Sequence, residues 1–127
     1  MSYSGFPLLD SRDKWVRQIL KEQQTTNYEL CGLYLPTPHN GDRLVFLKNS
    51  SPQPVTSFKV KGSELREALN GWYQNAEPDH FTSVIFWHTH PRGLIGPSRE
   101  DMKLKVKGLF HIVITPKGKD DCIISNY

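Results

Sequence analysis

Four residues in the second half of the chain have the types and the spacing of a metal site: His88, His90, Ser98 and Asp101. The two histidines follow the apolar run 83–87, which predicts a buried strand. Side chains two residues apart on a strand point to the same face, so both imidazoles can reach one ion. Zinc accepts imidazole and carboxylate ligands, and three protein ligands leave a fourth position for water. The pattern predicts one catalytic Zn²⁺ per chain, bound by His88, His90 and Asp101.

The segment between the histidines and Asp101 is suited to bringing the three ligands together. Pro91 ends the strand because it has no amide hydrogen for the ladder. Residues 93–97 contain two glycines and a proline and predict a turn-rich loop. Ser98 then opens a helix, and Ser98 and Asp101 also fit an ordinary helix-capping arrangement. A histidine pair can likewise form hydrogen bonds within a core. The combination favours a metal site in which Ser98 serves both as cap and as a catalytic group.

The pattern His-x-His-x7-Ser-x-x-Asp resembles the motif of JAMM (MPN-plus, Mov34-type) zinc metalloprotease domains. That motif also has an upstream glutamate, which Glu29 supplies within Asn-Tyr-Glu-Leu-Cys-Gly-Leu at residues 27–33. The Glu-x-Cys-Gly form is typical of the prokaryotic JAB branch. The resemblance extends over about residues 13–126. It implies an α/β fold in which a mixed, curved β-sheet packs with helices, layered as in cytidine deaminase.

The resemblance implies hydrolysis of a peptide or isopeptide bond by a metal-activated water. Zinc lowers the pKa of a bound water from about 16 to about 7, so hydroxide becomes available at neutral pH. The family pattern assigns Glu29 as the group that takes and returns the water proton. Ser98 would donate a hydrogen bond to the charge that develops on the attacked carbonyl oxygen. The assignment of Glu29 rests on the resemblance, because the sequence has 13 acidic residues.

Further segments resemble the JAMM domain of phage tail-tip assembly proteins: Asn49-Ser50-Ser51-Pro52, Ser57-Phe58-Lys59-Val60, Trp87-His88-Thr89-His90-Pro91 and Gly93-Leu94. This resemblance implies that the substrate is a phage tail protein and that the protein acts in the host cytoplasm or within the virion. Phage proteins of this type usually carry a cysteine-peptidase domain as well, and whether one belongs to this product stays open.

Three alternatives share some of these features. A peptidase that removes ubiquitin-like modifiers would have the same metal ligands. Two details, Pro91-x-Gly93 and Pro97-Ser98-x-x-Asp101, also resemble the JAMM domain of a bacterial family associated with DNA repair, although the Glu-x-Cys-Gly segment fits the peptidase branch better. A non-catalytic assembly module of a phage tail tip is the alternative outside the enzymes, and the presence of every candidate ligand argues against it.

Composition narrows the class of protein. A chain of 127 residues predicts one domain, residues 1–127, with residues 1–8 as a flexible N-terminal segment. Neither a signal peptide nor a membrane span is recognisable, so the expected location is the cytoplasm.

Cys31 and Cys122 are expected to be buried thiols in a reducing compartment. The net charge of +3 is mild. No aromatic residue interleaves with the lysines at 103, 105 and 107, which favours a solvated helix face over nucleic-acid binding. The oligomeric state stays open.

Periodicity and breaker residues predict the elements that position the site. A first helix capped by Ser11 runs to about Gln24, and a second runs from Ser63 to about Asn75. The inner faces of these helices carry Trp15, Ile19 and Leu20, and Leu65, Leu69 and Trp72. The remaining histidines, His39, His80 and His111, fall outside the metal pattern. Strands are predicted at 30–35, 43–48, around Phe58, 82–89, 110–115 and 121–126, with a turn at 116–118.

Overall fold

The elements around the site are seen in a computed structural model that describes residues 13–35, 42–73 and 84–127, without the side chains of 71–73. Residues 1–8, Ser11, His39, His80 and the side chain of Trp72 lie outside the described residues. The helices are α1 (Lys14–Gln23), α2 (Gly62–Tyr73) and α3 (Arg99–Lys103). The strands are β1 (Cys31–Leu35), β2 (Arg43–Leu47), β3 (Ile85–Thr89), β4 (Phe110–Lys117) and β5 (Asp121–Asn126).

These strands form one five-stranded mixed sheet in the order β2-β1-β3-β4-β5. The β3–β4 pair is parallel and the other neighbours are antiparallel. The α/β class predicted from the sequence is therefore confirmed. All five residues of β3 are buried, as a strand must be when it lies mid-sheet with both faces covered. His88, the first of the two candidate histidines, therefore lies on a fully buried strand.

The two faces of the sheet carry two separate hydrophobic clusters. The first cluster, on the α1 face, contains Ile85 and Trp87 of β3. The second cluster contains Phe86, together with half-buried side chains of α2. Because side chains alternate along a strand, His88 lies on the same face as Phe86 and Thr89 lies on the α1 face. The core of the first cluster is Val16, Ile19, Leu20, Ile85, Trp87, Ile112 and Ile114, and that of the second is Cys31, Leu33, Leu35, Phe58, Val84 and Phe86.

Gly32, in β1, lies too close to β2 and to the Trp87 ring for any side chain to fit. A Cβ atom at Gly32 would lie 1.9 Å from the carbonyl oxygen of Val45 and 2.7 Å from the indole ring of Trp87. Both distances are far inside van der Waals contact, so no side chain fits between β2 and the indole. The glycine lets β1 lie close against its neighbours and fixes the start of the strand beside the site.

Two predictions in the first half of the chain, the N-cap of α1 and a strand around Phe58, were wrong. The N-cap of α1 is Asp13 rather than Ser11. Trp15, Ile19 and Leu20 do lie on the inner face of α1, where Val16 is also fully buried and the half-buried Trp15 stacks on Tyr34 at 4.3 Å between ring centroids. The segment around Phe58 is not a strand. Its backbone is held by isolated hydrogen bonds, such as the one from the Ser50 amide to the Lys59 carbonyl (2.7 Å), rather than by a ladder.

Two predictions in the second half were also wrong. The turn expected at 116–118 lies at 118–120, because β4 continues to Lys117. Pro116 is tolerated within β4 because the pairing with β3 ends at Ile114, so the backbone beyond that point needs partners on one side only. The helix α3 ends at Lys103. The lysines at 105 and 107 therefore lie in the exposed segment after α3 rather than on a helix face.

The two cysteines are free thiols. Cys31 is buried, and Cys122 is half-buried rather than fully buried as predicted. Burial, reinforced by the Glu29 and Glu64 carboxylates, raises the pKa of the Cys31 thiol to about 12. A protonated, buried thiol is inert, so Cys31 has a packing role. Among the described residues, no helix is long and apolar enough to cross a membrane.

Candidate metal centre

Three side-chain atoms converge at the end of β3. His88 Nε2 lies 3.2 Å from His90 Nε2 and 3.0 Å from Asp101 Oδ2, and the third distance, His90 Nε2 to Asp101 Oδ2, is 3.1 Å. All three residues are buried. A tetrahedral zinc with ligand distances of about 2.0–2.1 Å holds its ligands roughly 3.3 Å apart. The triangle therefore has nearly the size of one face of a tetrahedral zinc site.

The backbone of β3 explains why the histidines face the same point. Beyond Thr89, the amide of His90 donates to the carbonyl of Ile114 at 3.0 Å, which extends the parallel ladder by one residue. This keeps His88 and His90 two positions apart on continuous extended backbone, the arrangement that their spacing predicts. Thr89 points to the other face, where its hydroxyl donates to Gln23 and accepts from the amide of Leu30.

The outer nitrogen of each ring also has a partner. His90 Nδ1 lies 3.1 Å from the carbonyl oxygen of Leu94. A carbonyl cannot donate, so Nδ1 carries the proton in this bond and the neutral ring has its lone pair on Nε2. His88 Nδ1 lies 3.2 Å from the hydroxyl of Tyr127. Metal-binding histidines usually have such a partner on the second nitrogen.

Asp101 is oriented by a capping box at the start of α3. Ser98 Oγ accepts from the Asp101 amide at 3.1 Å, and Asp101 Oδ2 accepts from the Ser98 amide at 2.8 Å. Ser98 has extended backbone angles and is the N-cap. The predicted helix start at Ser98 is thus confirmed. Because this reciprocal pair satisfies two orphan amides, the fold of the helix terminus itself holds the Asp101 carboxylate beside the histidines.

Glu29 lies on the other side of the histidines, two residues before His88's cross-strand partner Cys31. Its side chain is buried, and Oε1 lies 3.9 Å from His90 Nε2. Oε1 has no hydrogen-bond partner among the described residues. One ligand atom each from Glu29, His88 and His90 lies within 4.8 Å of the other two, so these residues form a second possible grouping for a metal. A buried carboxylate oxygen without a partner indicates that something else belongs beside it.

The backbone of Glu29 is fixed on both sides. The Glu29 amide donates to Pro54 at 2.7 Å, and its carbonyl accepts from the Asn49 side chain at 2.9 Å. The Asn49 side-chain amide also donates to the carbonyls of Pro54 and Ser57. Its oxygen accepts hydrogen bonds from the backbone amides of Ser51 and Lys59. One asparagine side chain therefore ties residues 50–59 to the glutamate, which places the Asn-Ser-Ser-Pro segment beside the site.

The electrostatics of the cluster favour a cation. Burial raises the pKa of Glu29 to about 7, with His90 opposing and Asp101 adding to the shift. Burial alone would raise the pKa of Asp101, yet hydrogen bonds from His88 and His90 hold it well below its usual range. Burial lowers the pKa of His88, which favours the neutral ring. Burial would also lower the pKa of His90, but Asp101 and Glu29 raise it on balance. Two carboxylates that hold a proton on His90 would equally hold a metal cation at that place.

A pocket of about 250 Å³ opens onto the cluster. It is lined by three candidate site residues, Glu29, His90 and Ser98, and by Val55, Thr56, Arg92 and Leu94. A larger cleft of about 500 Å³ lies between α1 and residues 119–120 and contains none of the candidate residues. We consider the smaller pocket as the site because the converging nitrogen and oxygen atoms border it.

Sequence reasoning missed four residues that support the cluster: Gln23, Asn49, Phe58 and Tyr127. Gln23 could have been noticed as a polar residue in line with the apolar stripe of α1. Phe58 stacks on the His88 ring with 4.4 Å between ring centroids, and only tertiary packing brings them together. Asn49 appeared in the sequence solely as part of a family-like segment. Tyr127 has no local signal at all.

The region that builds this sheet and site matches a family model described as prokaryotic homologs of the JAB domain, over residues 12–124. The chain belongs to this family. The matched region includes all five candidate residues, from Glu29 to Asp101, and the five-stranded mixed sheet is consistent with a JAB/MPN fold. A comparison with curated proteins found no match. The JAB resemblance predicted from the sequence is thus confirmed at the level of the family.

Proposed function

We propose that this JAB-domain protein is a zinc-dependent peptidase or isopeptidase. The observation that carries the proposal is the triangle of His88 Nε2, His90 Nε2 and Asp101 Oδ2, with sides of 3.0–3.2 Å. Beside it lies Glu29 Oε1, which has no hydrogen-bond partner in the part of the chain that the structure describes. Zinc bound there would supply Lewis-acid polarisation of the scissile carbonyl and a water of lowered pKa. The family includes peptidases of this kind, which agrees with the donor set.

The donor set fits zinc for a simple chemical reason. Two neutral imidazole nitrogens and one carboxylate oxygen are all electron-pair donors, and they converge in a buried space. Ring protons can satisfy the two contacts with Asp101, whereas a divalent cation also accounts for the close approach of the two ring nitrogens. Two nitrogen ligands with one oxygen, in a triangle of this size, suit tetrahedral zinc with an open position.

We assign Asp101 as the third ligand and Glu29 as the catalytic acid–base group. Asp101 Oδ2 lies within 3.1 Å of both ring nitrogens, while Glu29 Oε1 is 3.9 Å from His90 Nε2. A polar separation of that length leaves room for a bridging water. Glu29 would take a proton from such a water and deliver it to the leaving amine, and a pKa of about 7 suits that exchange near neutral pH.

Ser98 can contribute to catalysis without giving up its cap. In the capping box its oxygen accepts a hydrogen bond, so the hydroxyl proton remains available to donate. Ser98 also borders the pocket. We assign this proton to the carbonyl oxygen of the substrate, where negative charge develops during attack.

The pocket favours a peptide substrate. A volume of about 250 Å³ is below the usual range of about 300–1,000 Å³ for small-molecule sites. It suits one or two residues of an extended chain. Support for a phage tail substrate comes from the resemblance of residues 49–52 and 57–60, which border Glu29 through Asn49. On this proposal the protein acts in the host cytoplasm, and a ubiquitin-like modifier is the alternative substrate.

A metal and activity assay tests the proposed function. Protein purified without added zinc should contain about one zinc per chain. It should cleave members of a panel of peptides and lysine-linked isopeptides. Mass spectrometry of the products identifies the bonds that are cleaved. A strong chelator should stop cleavage, and stoichiometric zinc should restore it. Cleavage that continues without metal would contradict the zinc mechanism, and zinc without cleavage of tail or modifier-derived peptides would favour the assembly-module alternative.

Ser98 variants separate capping from catalysis. Ser98→Ala should lower the free energy of unfolding by about 0.5–2 kcal/mol, and Ser98→Asp should restore most of it because aspartate is also a good N-cap. Turnover should fall about 10²–10³-fold in Ser98→Ala, as when one oxyanion donor is lost. It should not recover in Ser98→Asp, since an ionised carboxylate cannot donate. Melting temperature and turnover of the three proteins give the result. An active Ser98→Asp protein would leave Ser98 with a capping role alone.

A further inference from the structure

Tyr127 makes the polar contact on the outer side of the His88 ring. Its hydroxyl oxygen lies 3.2 Å from His88 Nδ1, and the two rings meet edge to face at 5.9 Å between centroids. The Tyr127 amide donates to the His111 carbonyl at 3.0 Å, one position beyond the last β4–β5 pair, Ile112 with Asn126. The pairing of β4 with β5 therefore places the Tyr127 side chain beside the His88 ring.

His111 supports the tyrosine ring. The two rings lie 5.4 Å apart, and His111 stacks on Phe86 at the same centroid distance. His111 Nε2 accepts from the amide of Val106 at 2.9 Å, which fixes the ring. A histidine outside the metal pattern thus forms the packing surface on which Tyr127 rests, and the position of the hydroxyl is determined by tertiary contacts on two sides.

The tyrosine hydroxyl lies where it can accept a proton from His88 Nδ1, which bears on the nitrogen that is available to a ligand. A neutral imidazole carries one proton, on Nδ1 or on Nε2. His88 is fully buried, so a proton on either nitrogen needs an acceptor. With the proton on Nε2, Asp101 Oδ2 at 3.0 Å would accept it and the ligating lone pair would be lost. With the proton on Nδ1, the Tyr127 oxygen accepts it and Nε2 is free.

We propose that Tyr127 is a positioning residue for the metal centre: its hydroxyl accepts the Nδ1 proton of His88 and so keeps the Nε2 lone pair directed at the ligand site. This inference rests on the proposed zinc site. Nothing in the local sequence indicates it, because His88 and Tyr127 are 39 residues apart. Tyr127 acts through His88 and has no place among the residues that touch substrate.

The test compares wild-type protein with Tyr127→Phe, using Tyr28→Phe, which alters an exposed tyrosine, as the matched control. Zinc affinity is measured by competition with a chromophoric chelator. Loss of a partner of a ligating histidine typically weakens metal binding about 10–100-fold, and this is the expected result for Tyr127→Phe. Tyr28→Phe should match wild type. Equal zinc affinity in wild type and Tyr127→Phe would overturn the proposal.

A second measurement follows the tautomer without metal. Nitrogen NMR of the histidine rings in the zinc-free proteins should show a larger fraction of the His88 proton on Nδ1 in wild type than in Tyr127→Phe, because the phenylalanine offers no acceptor there. A merely structural role for the tyrosine would leave the tautomer unchanged, and that result would also overturn the proposal. If wild type bound no zinc, the proposed function would fail, while the tautomer shift would still support the role of Tyr127.

Discussion

Glu29→Gln is expected to keep the zinc and lose nearly all hydrolysis. The glutamine side chain has the size of glutamate but cannot take a proton from water, so turnover should fall about 10²–10⁴-fold, the usual contribution of general acid–base catalysis. Zinc content should stay near one per chain, because Glu29 Oε1 lies 3.9 Å from His90 Nε2 and Asp101 supplies the closer oxygen. Metal analysis and turnover assays on the same preparation measure the zinc content and the rate of hydrolysis.

The matched control is Glu100→Gln, which removes an exposed carboxylate from the first turn of α3. It should retain wild-type turnover. Hydrolysis at the wild-type rate in Glu29→Gln would mean that another residue is the base. Loss of zinc in Glu29→Gln would instead make the glutamate a ligand, as the grouping of Glu29 with the two histidines allows.

Glu29→Gln should also change how the stability of the zinc-free protein depends on pH. Burial raises the pKa of Glu29 from the ordinary value of 4.5 to about 7. The folded state therefore holds this proton more tightly than the unfolded state, and wild type loses stability as the pH rises through that interval. Glutamine cannot ionise, so the variant should gain stability relative to wild type above pH 7 but not near pH 4. Urea midpoints at both pH values measure the difference.

Alanine at His88 or His90 is expected to remove zinc from the protein. Each substitution deletes one of three ligands, and the remaining nitrogen and oxygen cannot hold a catalytic zinc in the presence of a competing chelator. Hydrolysis should fall to background in both variants. His80→Ala, outside the metal pattern of the sequence, should keep zinc and activity. Unchanged zinc content in both His88→Ala and His90→Ala would contradict the assignment of these histidines as zinc ligands.

The two variants should differ in stability. His90 borders the pocket, so His90→Ala removes a ring beside open space. His88 is fully buried and stacks on Phe58, so His88→Ala leaves a cavity and deprives the Tyr127 hydroxyl of its partner. Cavity formation in a core costs about 2–5 kcal/mol for large-to-alanine changes. Thermal melting of the zinc-free proteins should therefore show the larger loss in His88→Ala.

The sequence by itself determined the features that depend on neighbouring residues. The alternation of side chains along a strand places His88 and His90 on one face, and the hydrophobic run before them predicts β3. The reciprocal bonds of Ser98 and Asp101 arise within one turn of helix, so the cap was predictable and was found at the start of α3. These are short-range effects of backbone geometry, which local sequence largely dictates.

Element boundaries were predicted less well where tertiary contacts outweigh local preferences. Proline usually ends a strand, yet Pro116 lies within β4 because β3 no longer pairs there. A strand was predicted around Phe58, yet the Asn49 side chain supplies hydrogen bonds that a neighbouring strand would have made. In both places the partner of the backbone, rather than the residue itself, determined the structure.

Only the tertiary structure decided how the parts of the site meet. Glu29 lies beside the histidines because β1 pairs with β3, which sets Cys31 opposite His88 across 57 positions of chain. Residues alone did not distinguish Glu29 from the other acidic side chains, and its role came from family resemblance. Tyr127 and Gln23 reach β3 through the β4–β5 ladder and the packing of α1. Such contacts depend on which distant segments share buried surface, and neither periodicity nor local propensity records that information.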